Sequence, residues 1–130
     1  MDRLAPDGSV AEAHSPRADL LVFEIRARIT KPDMEWMARL VEEAFDRHEA
    51  VDMLVVMRNY QGADWGAVLD AEFAKAQARA TNHVRRYAVV GAPAWARAMI
   101  EVADVFSPVD AKTFALEEEA EAWAWVNGAA

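Results

Sequence analysis

The sequence predicts an α/β domain with a mixed, mostly parallel sheet of four or five strands and four helices, and three observations lead there. Apolar, β-branched runs such as "LLVFEI", "VDMLVVM" and "YAVV" alternate with segments whose apolar residues recur at three- and four-residue spacing. The helical segments run about ten to fifteen residues, enough to return the chain from one strand's end to the next strand's start in a right-handed crossover. The run "VDMLVVM" is apolar at nearly every position, as in a strand covered on both faces.

Residues 1–17 carry Pro6, Gly8, Ser9, Ser15 and Pro16 and few large apolar groups. They read as a loose tail, in which Ser9 to His14 could pair as a short edge strand before a Ser15-Pro16-Arg17 turn. The domain proper then spans 18–128. "DLLVFEIRARIT" reads as its first firm strand, with Leu21, Phe23, Ile25, Ala27 and Ile29 on one face and Glu24, Arg26 and Arg28 on the other. At "TKPD" Thr30 suits a helix N-cap, with Pro32 in the first turn and Asp33 three residues on. The helix "DMEWMARLVEEAFDRH" follows, with Met34, Met37, Leu40, Val41, Ala44 and Phe45 as its apolar stripe. "VDMLVVM" is the next strand, and "AVLDAEFAKAQARAT" the next helix, closed near Asn82. "VRRYAVVG" is a buried strand, "APAWARAMIEVADVF" a helix opened by Pro93, and "VDAKTFAL" an alternating strand. In "EEEAEAWAWVNG" the leading glutamates suit the positive end of a helix dipole, and Gly128 stops it.

Composition removes several functions. A chain of 130 residues fits one core. A net charge of −8 opposes contact with nucleic-acid phosphates and with anionic membrane surfaces. There is no cysteine, so no disulfide, thiolate nucleophile or cysteine-based zinc site. No apolar stretch approaches the roughly 20 residues of a membrane span, and the N-terminus lacks the apolar core of a secretory signal. The composition suits a soluble, cytoplasmic protein of bacterial type. His14, His48 and His83 share no ligand spacing, so neither a metal nor another cofactor is implied. No serine lies in a nucleophile elbow, and the carboxylates fit helix surfaces and caps. "VVGAPAW" lacks the glycines of a phosphate-binding turn.

Three pieces carry a resemblance: Ile29-Thr30-Lys31-Pro32-Asp33 at a helix start, "AVVGAPAW" from Ala88 to Trp95, and the final Glu-rich helix with Trp123. Together they resemble the SpoIIAA-like family, small domains related to the sulfate-transporter and anti-sigma-antagonist (STAS) domain, over roughly residues 18 to 126. Ala27 departs from the glycine common there. The resemblance implies the scaffold, and a protein partner as the regulated object. In anti-sigma antagonists a Ser or Thr in the loop after the matching strand accepts a phosphate. Here there is no Ser or Thr from Val51 to Ala80, so the switch residue is missing.

The loop "RNYQGADWG" remains the candidate binding site, because loops at the carboxyl ends of parallel strands collect ligands. Arg58, Asn59, Tyr60, Gln61, Asp64 and Trp65 follow one strand; Gly91 and Trp95 follow the next. Arg58 can meet an anion or pair with a surface acid. Trp65 and Trp95 can form a flat apolar wall or fill gaps between helix and sheet. Five tryptophans are many for so small a domain, and Trp36 and Trp125 are candidates for an interface with a protein partner or a second copy. The expectation is a non-enzymatic interaction module. The alternatives are a carrier of a small amphipathic or lipid-like ligand between loops 58–66 and 91–95, and an enzyme using Arg58 and Asp64.

Overall fold

Strand pairing, more than helix propensity, organises the chain. The computed structural model describes residues 3–61, 83–93 and 110–128. They form a six-stranded sheet in which spatial order equals chain order. Strand β1 (Arg3–Leu4) pairs antiparallel with β2 (Val10–Glu12), and β2 antiparallel with β3 (Leu20–Ile25). From β3 onward, β4 (Val51–Met57), β5 (Val84–Val90) and β6 (Asp110–Phe114) are all parallel. Helix α1 (Lys31–Arg47) joins β3 to β4; a 3-10 turn at Leu116–Glu118 leads into helix α2 (Glu119–Val126). The expected helices over about 67–81 and 92–106 lie almost wholly outside the described residues.

The segment read as a tail supplies two strands, hence one strand more than the upper expected count. Val10 and Ala11 of β2 are fully buried. Period-two alternation sorts the sheet into two apolar faces. Leu21, Phe23, Ile25, Met53 and Val55 pack with Met34, Leu40, Val41 and Phe45 of α1. Leu20, Val22, Leu54, Val56, Ala88 and Val90 pack with Phe114 and with Ala122 and Val126 of α2. The second face corrects the expectation for β3. Leu20 and Val22 share the face of Glu24, but α2 belongs to the cluster covering it, so that face is wet only near the strand's end.

Strand β3 also ends earlier than expected. After Ile25 the amide of Arg26 donates to Ser9 O at 2.8 Å, and the chain bends at Ala27 without any positive φ. Alanine therefore fits the bend. Ile29 still reaches the first core. Thr30 is the N-cap of α1, its Oγ1 accepting from the Asp33 amide at 3.4 Å. The Asp33 carboxylate turns instead to the β1–β2 hairpin. Fully buried, it accepts from the amides of Asp7 (2.6 Å) and Ser9 (2.7 Å) and from the Ser9 hydroxyl. Thr30 Oγ1 donates to Asp7 at 2.7 Å, so both ends of the cap hold the hairpin.

A second buried carboxylate sits at the amino ends of the parallel strands. Between β4 and β5 the register passes from Val51↔Val84 to Met53↔Tyr87, so β5 carries one extra residue. Such a bulge disrupts the ladder locally. Asp52, opposite it, accepts from the Arg86 amide at 3.2 Å. Its other oxygen accepts from Arg85 at 3.1 Å and from Arg17. Arg17 and Arg86 also donate to the Val126 and Trp125 carbonyls, placing cations at the negative end of α2.

Candidate functional site

The carboxyl ends of the parallel strands stand nearly level. Ile25 is paired with Met57, and Val56 with Val90, so the chain leaves β3, β4 and β5 along one edge. Arg58, Asn59 and Gly91 therefore do share that edge. Asp64, Trp65 and Trp95 lie outside the described residues.

Arg58 is held between two acids. Its Nε donates to Glu24 at 3.2 Å and its Nη2 to Glu119 at 2.8 Å. Glu24 also accepts from Arg26 Nε at 2.9 Å, and Glu119 accepts from the Trp123 indole at 3.3 Å. The result is a ladder of alternating charge from β3 across β4 to α2. The hydrogen bond to Glu119, then that to Glu24, raises the Arg58 pKa above its ordinary value. For Glu24, burial pushes the carboxyl up, but the bonds from Arg26 and Arg58 outweigh it and the net shift is downward. With the Arg58 side chain about half exposed, such pairs contribute under about 1 kcal/mol each.

Asn59 is structural. Its amide donates to Ile25 O at 3.2 Å and its side chain to Arg26 O at 3.1 Å, tying the β4 loop to the β3 loop. Tyr60 is half-buried against the first core, and Gln61 is exposed. Gly91 has φ +77°, and its amide donates to Phe114 O at 2.9 Å. A Cβ there would stand 2.8 Å from Leu116 Cδ2 and 2.9 Å from Met57 O. Leu116 thus lies directly on Gly91, and it is 42 % exposed. Among the described residues the exposed large apolar side chains are Leu4 and Leu116.

Trp36 and Trp125 are half-buried, each against a core. Trp36 meets Phe23 edge-on, with ring centroids 6.5 Å apart. Trp125 lies 6.1 Å from Phe114, with the Arg86 guanidinium 5.3 Å from its ring centre. His83 stacks on Phe45 at 5.0 Å, and its Nδ1 lies 3.2 Å from Glu49 O. No group of His, Asp and Glu among the described residues could hold a metal ion. No described helix is long and apolar enough to cross a membrane.

Sequence reasoning missed Leu116, Glu24 and Glu119 as parts of this edge. Leu116 had one signal: the pattern makes it the last residue of the alternating strand "VDAKTFAL", directly before a run of acids, whereas the strand ends at Phe114 and Leu116 opens the 3-10 turn. The partners of Arg58 had none, because they are 34 and 61 residues away in the chain. The Asp52 network was marked only by one acid inside an otherwise apolar strand.

Comparison with known proteins agrees with this geometry. A solved structure of an uncharacterised protein of the DUF3478 family from Shewanella loihica PV-4, described as having a SpoIIAA-like fold, superposes with a TM-score of 0.72 at 22 % identity. The match covers 91 % of this chain and 94 % of that one. Among curated proteins no relative matches. The SpoIIAA-like family matches residues 20–127, from the first residue of β3 to the residue after α2. With its mixed sheet, its Thr30-capped helix and its closing Glu-rich helix, the chain belongs to the SpoIIAA-like family, a STAS-like module.

Proposed function

We propose that this chain is a non-enzymatic interaction module of the cytoplasm, acting by protein contact at the carboxyl edge of its parallel strands. The observation that carries this reading is Leu116. It is an exposed apolar side chain seated on Gly91, near the Arg58–Glu24 and Arg58–Glu119 ion pairs. An apolar anchor within a polar rim is the anatomy of a protein contact. The described part of the loop offers no serine, threonine or histidine, and its one arginine is already engaged by two acids. Contact suits that equipment better than bond-making. Without a Ser or Thr from Val51 to Ala80, regulation at this edge does not run through a phosphohydroxyl of the usual kind.

The test compares the full chain with Leu116→Asp and Arg58→Glu. Each protein is immobilised, exposed to cell extract from its source, and the retained proteins are quantified by mass spectrometry; sedimentation velocity follows self-association. The reading expects a partner, or a second copy, held by the parent and lost by both variants, with circular dichroism unchanged. Identical partners and sedimentation for all three proteins would overturn it.

A further inference from the structure

At the opposite end of the sheet, the β2–β3 connection and the last turns of α1 enclose an open cleft of about 500 Å³. It lies apart from the edge described above. Its volume is in the range of small-molecule sites. The floor is apolar: Leu21 of β3 with Leu40 and Ala44 of α1, all three in the core on the α1 face of the sheet.

The rim carries both signs of charge. Glu43 and Arg47 stand one helical turn apart on α1, both exposed, and neither makes an ion pair among the described residues. Across the cleft are Glu12, His14 and Ser15, with His48 at the helix end. Arg17 also lines the cleft, but its charge is committed to Asp52 and Asp19. An anion alone would meet Glu12 and Glu43, and a cation alone would meet Arg47. A ligand bearing one charge of each sign on an apolar body satisfies floor and rim together.

We infer that this cleft binds a small amphipathic zwitterion, an apolar body carrying one ammonium and one carboxylate, as in an apolar amino acid. Glu43 takes the ammonium, Arg47 the carboxylate, and the Leu21–Leu40–Ala44 floor the apolar body. This assignment is independent of the contact surface at Leu116.

The experiment titrates the full chain, ¹⁵N-labelled, with three matched probes: L-phenylalanine, 3-phenylpropanoate and 2-phenylethylamine. Amide shifts should cluster at Leu20, Leu21 and Ala44, and phenylalanine should bind about tenfold more tightly than either singly charged probe, the value of one charge-assisted contact. Glu43→Ala should weaken phenylalanine and phenylethylamine while sparing phenylpropanoate; Arg47→Ala should weaken phenylalanine and phenylpropanoate while sparing the amine. Both are exposed helix positions where alanine is well tolerated, and unchanged melting temperatures establish that the variants are folded. The inference is overturned if no probe shifts the cleft amides, if the three probes bind equally, or if the variants do not separate them.

Discussion

Asp33 and Arg58 illustrate how differently two charged residues can matter. Asp33 is fully buried and receives three hydrogen bonds from the hairpin. Asp33→Ala leaves the buried amide and hydroxyl of Ser9 and the part-buried amide of Asp7 without their acceptor, and should cost about 3 kcal/mol, measured as a lower urea midpoint at unchanged slope. Hydrogen exchange at the Ser9 amide should accelerate in step. Arg58→Ala removes two half-exposed ion pairs and should cost less than about 1 kcal/mol in the same assay. Local pattern marked Asp33 as the third helical residue under a Thr30 cap, and the cap is there. It could not reveal the carboxylate's destination, because the hairpin amides are 24 and 26 residues away. Arg58 was legible as a polar residue at a strand end, and its choice between a ligand and surface acids was decided by residues on two other elements.

Elements were legible where one local force dominates. β4 begins and ends as its apolar run does, Val51 to Met57, because burial on both faces leaves no competing signal. β3 stops short of its alternating pattern because the Ser9 amide, which would return the bond it receives from the Arg26 amide, is taken by Asp33, a tertiary contact that periodicity does not contain. β1 was unreadable: two residues with one exposed leucine have no periodicity to detect. The Gly91 turn makes a sharper demand. Gly91→Ala combines a left-handed backbone with a Cβ against the Met57 carbonyl, and should destabilise by about 2 kcal/mol. Thermal unfolding gives the size, and adding Leu116→Ala should recover only part of the loss, because the carbonyl is backbone and cannot move aside. Removing residues 1–12 should be worse tolerated than loss of a tail, since it uncovers Phe23 and Ile25 along the β3 edge.

At the scale of the whole molecule, two charge networks brace opposite ends of the sheet, and both weaken in acid. At the amino end the hydrogen bond from Arg85 lowers the Asp19 pKa; at the carboxyl end the arginine bonds leave Glu24 lowered despite its burial. A carboxyl depressed in the folded state adds stability above its unfolded value and loses it as pH falls through the folded value. Stability should therefore hold near neutrality and begin to fall near the ordinary Asp and Glu values of 3.8 and 4.5, continuing below them. Urea midpoints across that window test this, and added salt should shrink the effect because the partners are partly exposed. Fold class was legible because strand–helix alternation is a property of the whole chain, whereas the two networks are assembled from residues that only folding brings together. The sheet's simple order has a mechanical meaning as well. No strand is inserted between earlier ones, so the sheet can grow by accretion along a single advancing margin and can be undone by peeling from either margin. The two margins are secured differently: β1 and β2 are held by the β3 pairing and by the Thr30–Asp33 helix cap, whereas β6 cannot peel until α2, packed across β4, β5 and β6, has lifted away. Under a pulling force, the amino-terminal margin should yield first.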